Sequence, residues 1–142
     1  MMRESTIAAV ATPNAPGGIG IIRISGENAV EIAAKIFRPV SGIELTESKG
    51  YCAHFGSVYD NNEKIDEAVC LVFRAPKSYT GEDVAEINCH GGLYVTKQIL
   101  RAALNAGARP AEAGEFTKRA FLNGKIDLAG SERGMALIGA SG

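Results

Sequence analysis

Several side chains in this sequence are of types that do chemistry, and their spacing decides which chemistry is open to them. Glycines gather in Pro16-Gly17-Gly18-Ile19-Gly20, a run of the kind that lets main chain close around a phosphate. The dinucleotide fingerprint needs a further glycine at position 23, and Arg23 stands there instead. Gly124-Lys125 has the look of a P-loop end, but Arg119 replaces the first glycine of that loop and Ile126 replaces the Ser or Thr that would meet magnesium. The chain therefore cannot bind GTP through a P-loop of its own. Cys89 and His90 are neighbours on a strand-like segment, so they point to opposite faces and cannot serve each other as nucleophile and base. His54 stands alone and there is no Cys-x-x-Cys, so a metal site is not expected.

The bulk composition narrows the class. With 142 residues, 46% hydrophobic and 22% charged, the chain reads as one ordinary globular domain large enough to bury its own core. Cys52, Cys70 and Cys89 are odd in number and each sits in an apolar or β-like segment, which reads as reduced thiols of a cytoplasmic protein. Met1 to Ser5 runs straight into strand-like Thr6 to Ala11 without an export signal, and no apolar run approaches the ~20 residues that span a bilayer. A net charge of -1 with interspersed signs lacks the basic excess that attracts nucleic-acid backbones, so the domain alone is expected to hold them weakly at most.

The elements that must position these residues follow from period and punctuation. Thr6 to Ala11 and Gly20 to Ile24 read as strands around a Pro/Gly loop. A helix is expected from Gly26 to about Phe37, with Ala29, Ile32, Ala33 and Ile36 on one stripe, and then a surface loop from Arg38 to Lys49. Tyr51 to Tyr59 and Ile65 to Phe73 form a hairpin through the five residues Asp60 to Lys64, and the unbroken apolar run Ala68 to Phe73 marks a central strand covered on both faces. Asp83 to Cys89 is a further strand. Gly92 to Ala106 is a helix stopped by Gly107 and Pro110, and Glu115 to Leu122 is a short last helix. This order predicts an α+β domain with a mixed or antiparallel sheet and packed helices.

Three blocks lift the sequence above a generic domain. They are Ala11-Thr12-Pro13 through Gly17-Gly18-Ile19-Gly20-Ile21-Ile22-Arg23-Ile24-Ser25-Gly26, then Ser78-Tyr79-Thr80-Gly81-Glu82-Asp83-Val84-Ala85-Glu86 through His90-Gly91-Gly92, then Gly114-Glu115-Phe116 through Arg119-Ala120-Phe121-Leu122-Asn123-Gly124-Lys125-Ile126-Asp127-Leu128. In order and spacing they resemble the N-terminal domain of the MnmE (TrmE) family of tRNA-modification GTPases, over residues 5 to 129 or so. The resemblance implies a fold similar to the folate-binding part of the glycine-cleavage aminomethyltransferase. It also implies a homodimer that holds a one-carbon carrier of the 5-formyl-tetrahydrofolate type near the subunit interface. Intact members add a helical domain and a GTP-hydrolysing domain, with its magnesium and potassium. They act with the flavoprotein MnmG on the wobble uridine of certain tRNAs.

A folate presents a pterin with ring N–H and amine donors side by side, and a tail ending in carboxylates. Its site therefore needs an acidic acceptor and basic groups. Glu86 matches the family's acidic binding position, and Arg23 and Lys125 match its two basic ones. The plainer readings are an exposed strand glutamate, a snorkelling surface arginine and a lysine at a helix C-terminus. Tyr79 and Phe116 are expected either to stack on the pterin or to fill the core.

The pattern breaks after Leu128. Residues 130 to 142 carry four glycines, each costing a helix about 1 kcal/mol relative to alanine, where the family begins its helical domain. This tail reads as a vector remnant, a linker to a missing part or a divergent end, giving a domain over residues 1–129 and an appendage over 130–142. Ala113 also replaces the proline common before Gly-Glu-Phe. The one-carbon chemistry that the resemblance implies uses a cysteine near the C-terminus of the intact protein, so no catalytic residue is expected in this chain. Two other functions compete: a stand-alone aminomethyltransferase-like folate enzyme, and a dimerisation module that binds no ligand.

Overall fold

Burial with a period of two along the central strands decides which side chains enter the core and which reach the other face. Residues 5–12 and 18–125 are described by the structure, a computed structural model. Its strands are β1 (Ile7–Val10), β2 (Gly20–Ser25), β3 (Phe37–Pro39), β4 (Cys52–Asp60), β5 (Glu63–Phe73), β6 (Val84–Cys89) and β7 (Arg109–Pro110). They form one sheet in the order β3-β4-β5-β6-β2-β1-β7. Every neighbouring pair is antiparallel except β1 and β7, which run parallel. With helices α1 (Ala29–Ile36), α2 (Gly92–Asn105) and α3 (Glu115–Leu122), the domain is α+β, as the order of elements predicted.

On β2, Ile22 and Ile24 are completely buried, and their partners Ile87 and Ala85 on β6 share that face. Cys70 and Val72 of β5 and Val58 of β4 extend the same apolar layer. Helix α1 lays Ala29, Ile32, Ala33 and Ile36 onto it, the stripe read from the sequence, and α2 adds Ile99, Ala102 and Ala103. Each large aliphatic side chain buried this way stabilises the fold by roughly 1.5–3 kcal/mol. Close approach of α2 to β2 depends on Gly20, because a Cβ there would lie 2.2 Å from Thr96 Oγ1. The helix ends as its glycine foretold. Gly107 takes φ 126°, its N–H bonds the Leu104 carbonyl, and the Ala108 N–H bonds the Ala103 carbonyl, which together close the last turn.

The structure corrects the sequence reading in three places. The expected loop over 38–49 contains the end of strand β3 and a short 3-10 turn, Leu45–Glu47. Three residues ending in proline carry too little alternation to be read as a strand, and Pro39 is tolerated because β3 is an edge. The hairpin turns tightly on Asn61 and Asn62 (φ 51° and 68°) rather than through five residues. Asparagine is among the few side chains that accept that backbone, so both arms extend further than polarity suggested. Pro110, read as a helix stop, also sits in the edge strand β7 against β1.

Candidate functional site

The face of the sheet opposite α1 and α2 carries the charged residues. Arg23 alternates with Ile22 and Ile24, and Glu86 alternates with Ala85 and Ile87. The register sets Arg23 and Glu86 directly across from each other. Arg23 Nε donates to Glu86 Oε2 at 2.7 Å, and the two side chains are only 14% and 15% exposed. The plainer readings of both residues, a snorkelling arginine and an exposed glutamate, are therefore wrong.

Two aromatic rings close on this pair. The Arg23 guanidinium carbon lies 5.1 Å from the ring centre of Tyr79 and 5.4 Å from that of Phe116, within the range of cation–π attraction. Tyr79 comes from the connection between β5 and β6, Phe116 from α3. The hydroxyl of Tyr79 and Thr117 Oγ1 are hydrogen-bonded at 3.0 Å, joining the two segments. Both rings thus pack on an ion pair instead of in the apolar core.

Lys125 lies apart from this pair. Its Nζ donates to the Pro76 carbonyl at 3.0 Å at the exposed surface, and its stem passes over Gly81. It sits at the end of α3, over the same 74–83 segment that carries Tyr79. The fold brings Arg23 and Glu86 into contact, and Lys125 takes no part in that contact.

Sequence reasoning missed a second charged group beneath α3. Arg119 is 2% exposed, and its Nη1 donates to both Glu82 oxygens, at 3.2 and 3.3 Å. Glu82 also accepts from Ser25 Oγ at 2.8 Å, and Ser25 is hydrogen-bonded to Thr80. Arg119 Nη2 reaches Glu115, which is gripped from its other side by Arg109. The hydrogen bonds from Arg109 hold the Glu115 carboxyl down at a pKa of about 2. The helical spacing of Arg119 after Phe116 and beside Ala120 set it on one stripe of α3, but nothing local in the sequence marked Glu82 as its partner.

Cys70 offers no thiolate here. Burial, reinforced by the negative charge of Glu86, pushes the Cys70 thiol up to about 12, so it stays protonated and unreactive. Cys89 is buried as well, whereas its neighbour His90 is exposed. Among the described residues, no three His, Cys, Asp or Glu side chains are placed to hold a metal ion. Nor is any helix among them long and apolar enough to cross a membrane.

Comparison with known proteins bears on the same residues. The family model described as "GTP-binding protein TrmE N-terminus" matches residues 6–125. This chain belongs to the TrmE N-terminal family. Proteins named tRNA modification GTPase MnmE are its relatives: that of Moorella thermoacetica is 51% identical over 98% of this chain and 30% of its own length. Those of Chlorobaculum tepidum and Clostridioides difficile are 52% and 50% identical, over 89% and 99% of this chain and 27% and 30% of their own lengths. The chain thus spans about 30% of the curated relatives it matches. Arg23, Glu86 and Lys125 all fall inside the stretch matched by the TrmE N-terminal model. The glycine-rich tail, residues 130–142, lies outside the described residues, as does Pro13 to Gly17 of the first motif block.

Proposed function

We propose that this domain binds a reduced folate of the 5-formyl-tetrahydrofolate type at Glu86, Arg23 and Lys125. We also propose that it pairs with a second copy of itself, as the N-terminal part of a GTPase that modifies the wobble uridine of tRNA. The observation that carries the reading is the Arg23–Glu86 pair walled by Tyr79 and Phe116. A pterin is flat and presents parallel donors. A mostly buried carboxylate, paired with an arginine on which two aromatic rings pack, offers such a molecule an acceptor with a stacking surface beside it. A carboxylate has room for about four hydrogen bonds, so Glu86 keeps acceptor capacity beyond the one bond from Arg23. Lys125 at the exposed rim suits the anionic tail of the ligand, which would extend toward solvent. Bound there, the folate would supply a one-carbon unit. The GTPase activity, its metal ions, MnmG and the tRNA belong in this reading to the longer protein.

Support for pairing comes from the sheet face that continues outward from the site. Leu71 lies directly across from Glu86, Ala53 across from Leu71, and Phe55 across from Val69. Phe55 is 51% exposed, and Tyr51, stacked edge-on against Phe73, is 68% exposed. A second copy related by a twofold axis would cover this apolar stripe with the same stripe of its own. Calorimetric titration with 5-formyl-tetrahydrofolate tests the first half of the proposal. Saturable one-to-one binding per chain is expected, and absence of heat at millimolar ligand would overturn it.

A further inference from the structure

We propose that Arg119 is a positioning residue for the ligand site, an inference that rests on the folate reading above. Its guanidinium joins the three segments that build the site. Through Nη1 it holds Glu82, whose carboxylate also accepts from Ser25 Oγ on β2, two residues from Arg23 on the same face. Ser25 in turn meets Thr80, the neighbour of Tyr79, and both Ser25 and Thr80 are completely buried. Arg119 itself stands three residues after Phe116 on α3, and its Nη2 ties to Glu115 at the start of that helix. One side chain thus fixes the strand of Arg23, the segment of Tyr79 and the helix of Phe116 relative to one another.

Stability alone does not account for an arginine at this place. A buried ion pair recovers little more than its desolvation cost, and apolar side chains of similar size would hold α3 equally well. What the planar fork adds is orientation: Glu115 of the same helix holds Nη2, and Nη1 then meets the Glu82 carboxylate at a fixed angle, which allows α3 one docking geometry. That geometry sets both rings on the Arg23 guanidinium and delivers Lys125, just beyond the helix, to the rim. Asn123 Nδ2, donating to the Thr80 carbonyl at 2.9 Å, pins the helix end to the same segment.

Arg119→Lys in the 142-residue chain keeps the charge and removes the fork. Two readouts separate positioning from mere support: the affinity for 5-formyl-tetrahydrofolate, and the chemical shift of the Arg23 Nε–H, which lies beside two rings whose currents depend on their placement. The expected result is a folded variant with a shifted Arg23 resonance and a loss of affinity of about 10- to 100-fold, by analogy with the loss on removing residues that orient metal ligands. A folded Arg119→Lys variant with the parental resonance and affinity would overturn the proposal. So would a lowered melting temperature with the resonance unmoved. Should that variant fail to fold, Glu82→Gln, which preserves shape and hydrogen bonding, is expected to give the same two shifts. A parent chain that binds no folate would sink the functional reading instead, and the resonance would still decide whether Arg119 positions the rings.

Discussion

Replacing Glu86 by glutamine tests the proposed site at its centre. The substitution keeps the size of the side chain but exchanges one acceptor oxygen for a donor and removes the charge opposite Arg23. Arg23 keeps a neutral acceptor in place of a charged one, roughly halving the strength of that bond. On the ligand side, one of two parallel pterin donors faces an amide N–H and loses its partner. An unsatisfied buried donor costs about 1–3 kcal/mol, and the weakened second bond about 1 more. A total of about 2–4 kcal/mol corresponds to a roughly 30- to 700-fold rise in Kd. The pair is only about 15% exposed, so this loss is expected to be nearly the same at low and high salt. Lys125→Ala, at the exposed rim, is expected to lose less than tenfold, and that loss should shrink as salt rises. Because Arg23 and Glu86 touch, their single substitutions should not add, and a double-mutant cycle should give a coupling of about 1 kcal/mol or more. Calorimetry at two ionic strengths, with circular dichroism to check the fold, makes the measurement. Parental affinity in a folded Glu86→Gln protein would refute the assignment of Glu86.

Sedimentation of the 14.9 kDa chain should show particles of about twice that mass at micromolar concentration, and Phe55→Asp should return them to single chains. If the variant sediments like its parent, the apolar stripe beside Glu86 is not the pairing face. Glu115 has a folded pKa of about 2 against an ordinary 4.5, so its contribution is complete above pH 4.5 and fades as pH falls toward 2. With Arg109 39% exposed, solvent screening reduces the contribution to about 1–2 kcal/mol. Denaturant midpoints of Glu115→Gln and parent should therefore differ at pH 6 and converge near pH 2. Gly20→Ala should lower the melting temperature by roughly 3–10 °C, since a Cβ there meets Thr96 at 2.2 Å. An unchanged melting temperature would show that α2 yields without cost.

Local signals carried most of the elements into view. The stripe Ala29, Ile32, Ala33, Ile36 has only one way to meet a core, and the Ala68 to Phe73 run has no polar residue to turn to water. Gly107 marked a helix end because few other residues take its backbone conformation. These are properties of consecutive residues, which share a face or a turn whatever lies elsewhere in the chain. The motif blocks marked Arg23, Glu86 and Lys125 in the same local way. Their mutual arrangement was not local. That Glu86 opposes Arg23 follows from a register between strands 63 residues apart, and that Tyr79 and Phe116 lie on Arg23 follows from how α3 docks. The Glu82–Arg119 pair was invisible for the same reason, since a charged side chain shows its burial only when its partner arrives from another segment. Pairing energies between distant segments depend on the sheet order, and that order is decided when the whole core closes.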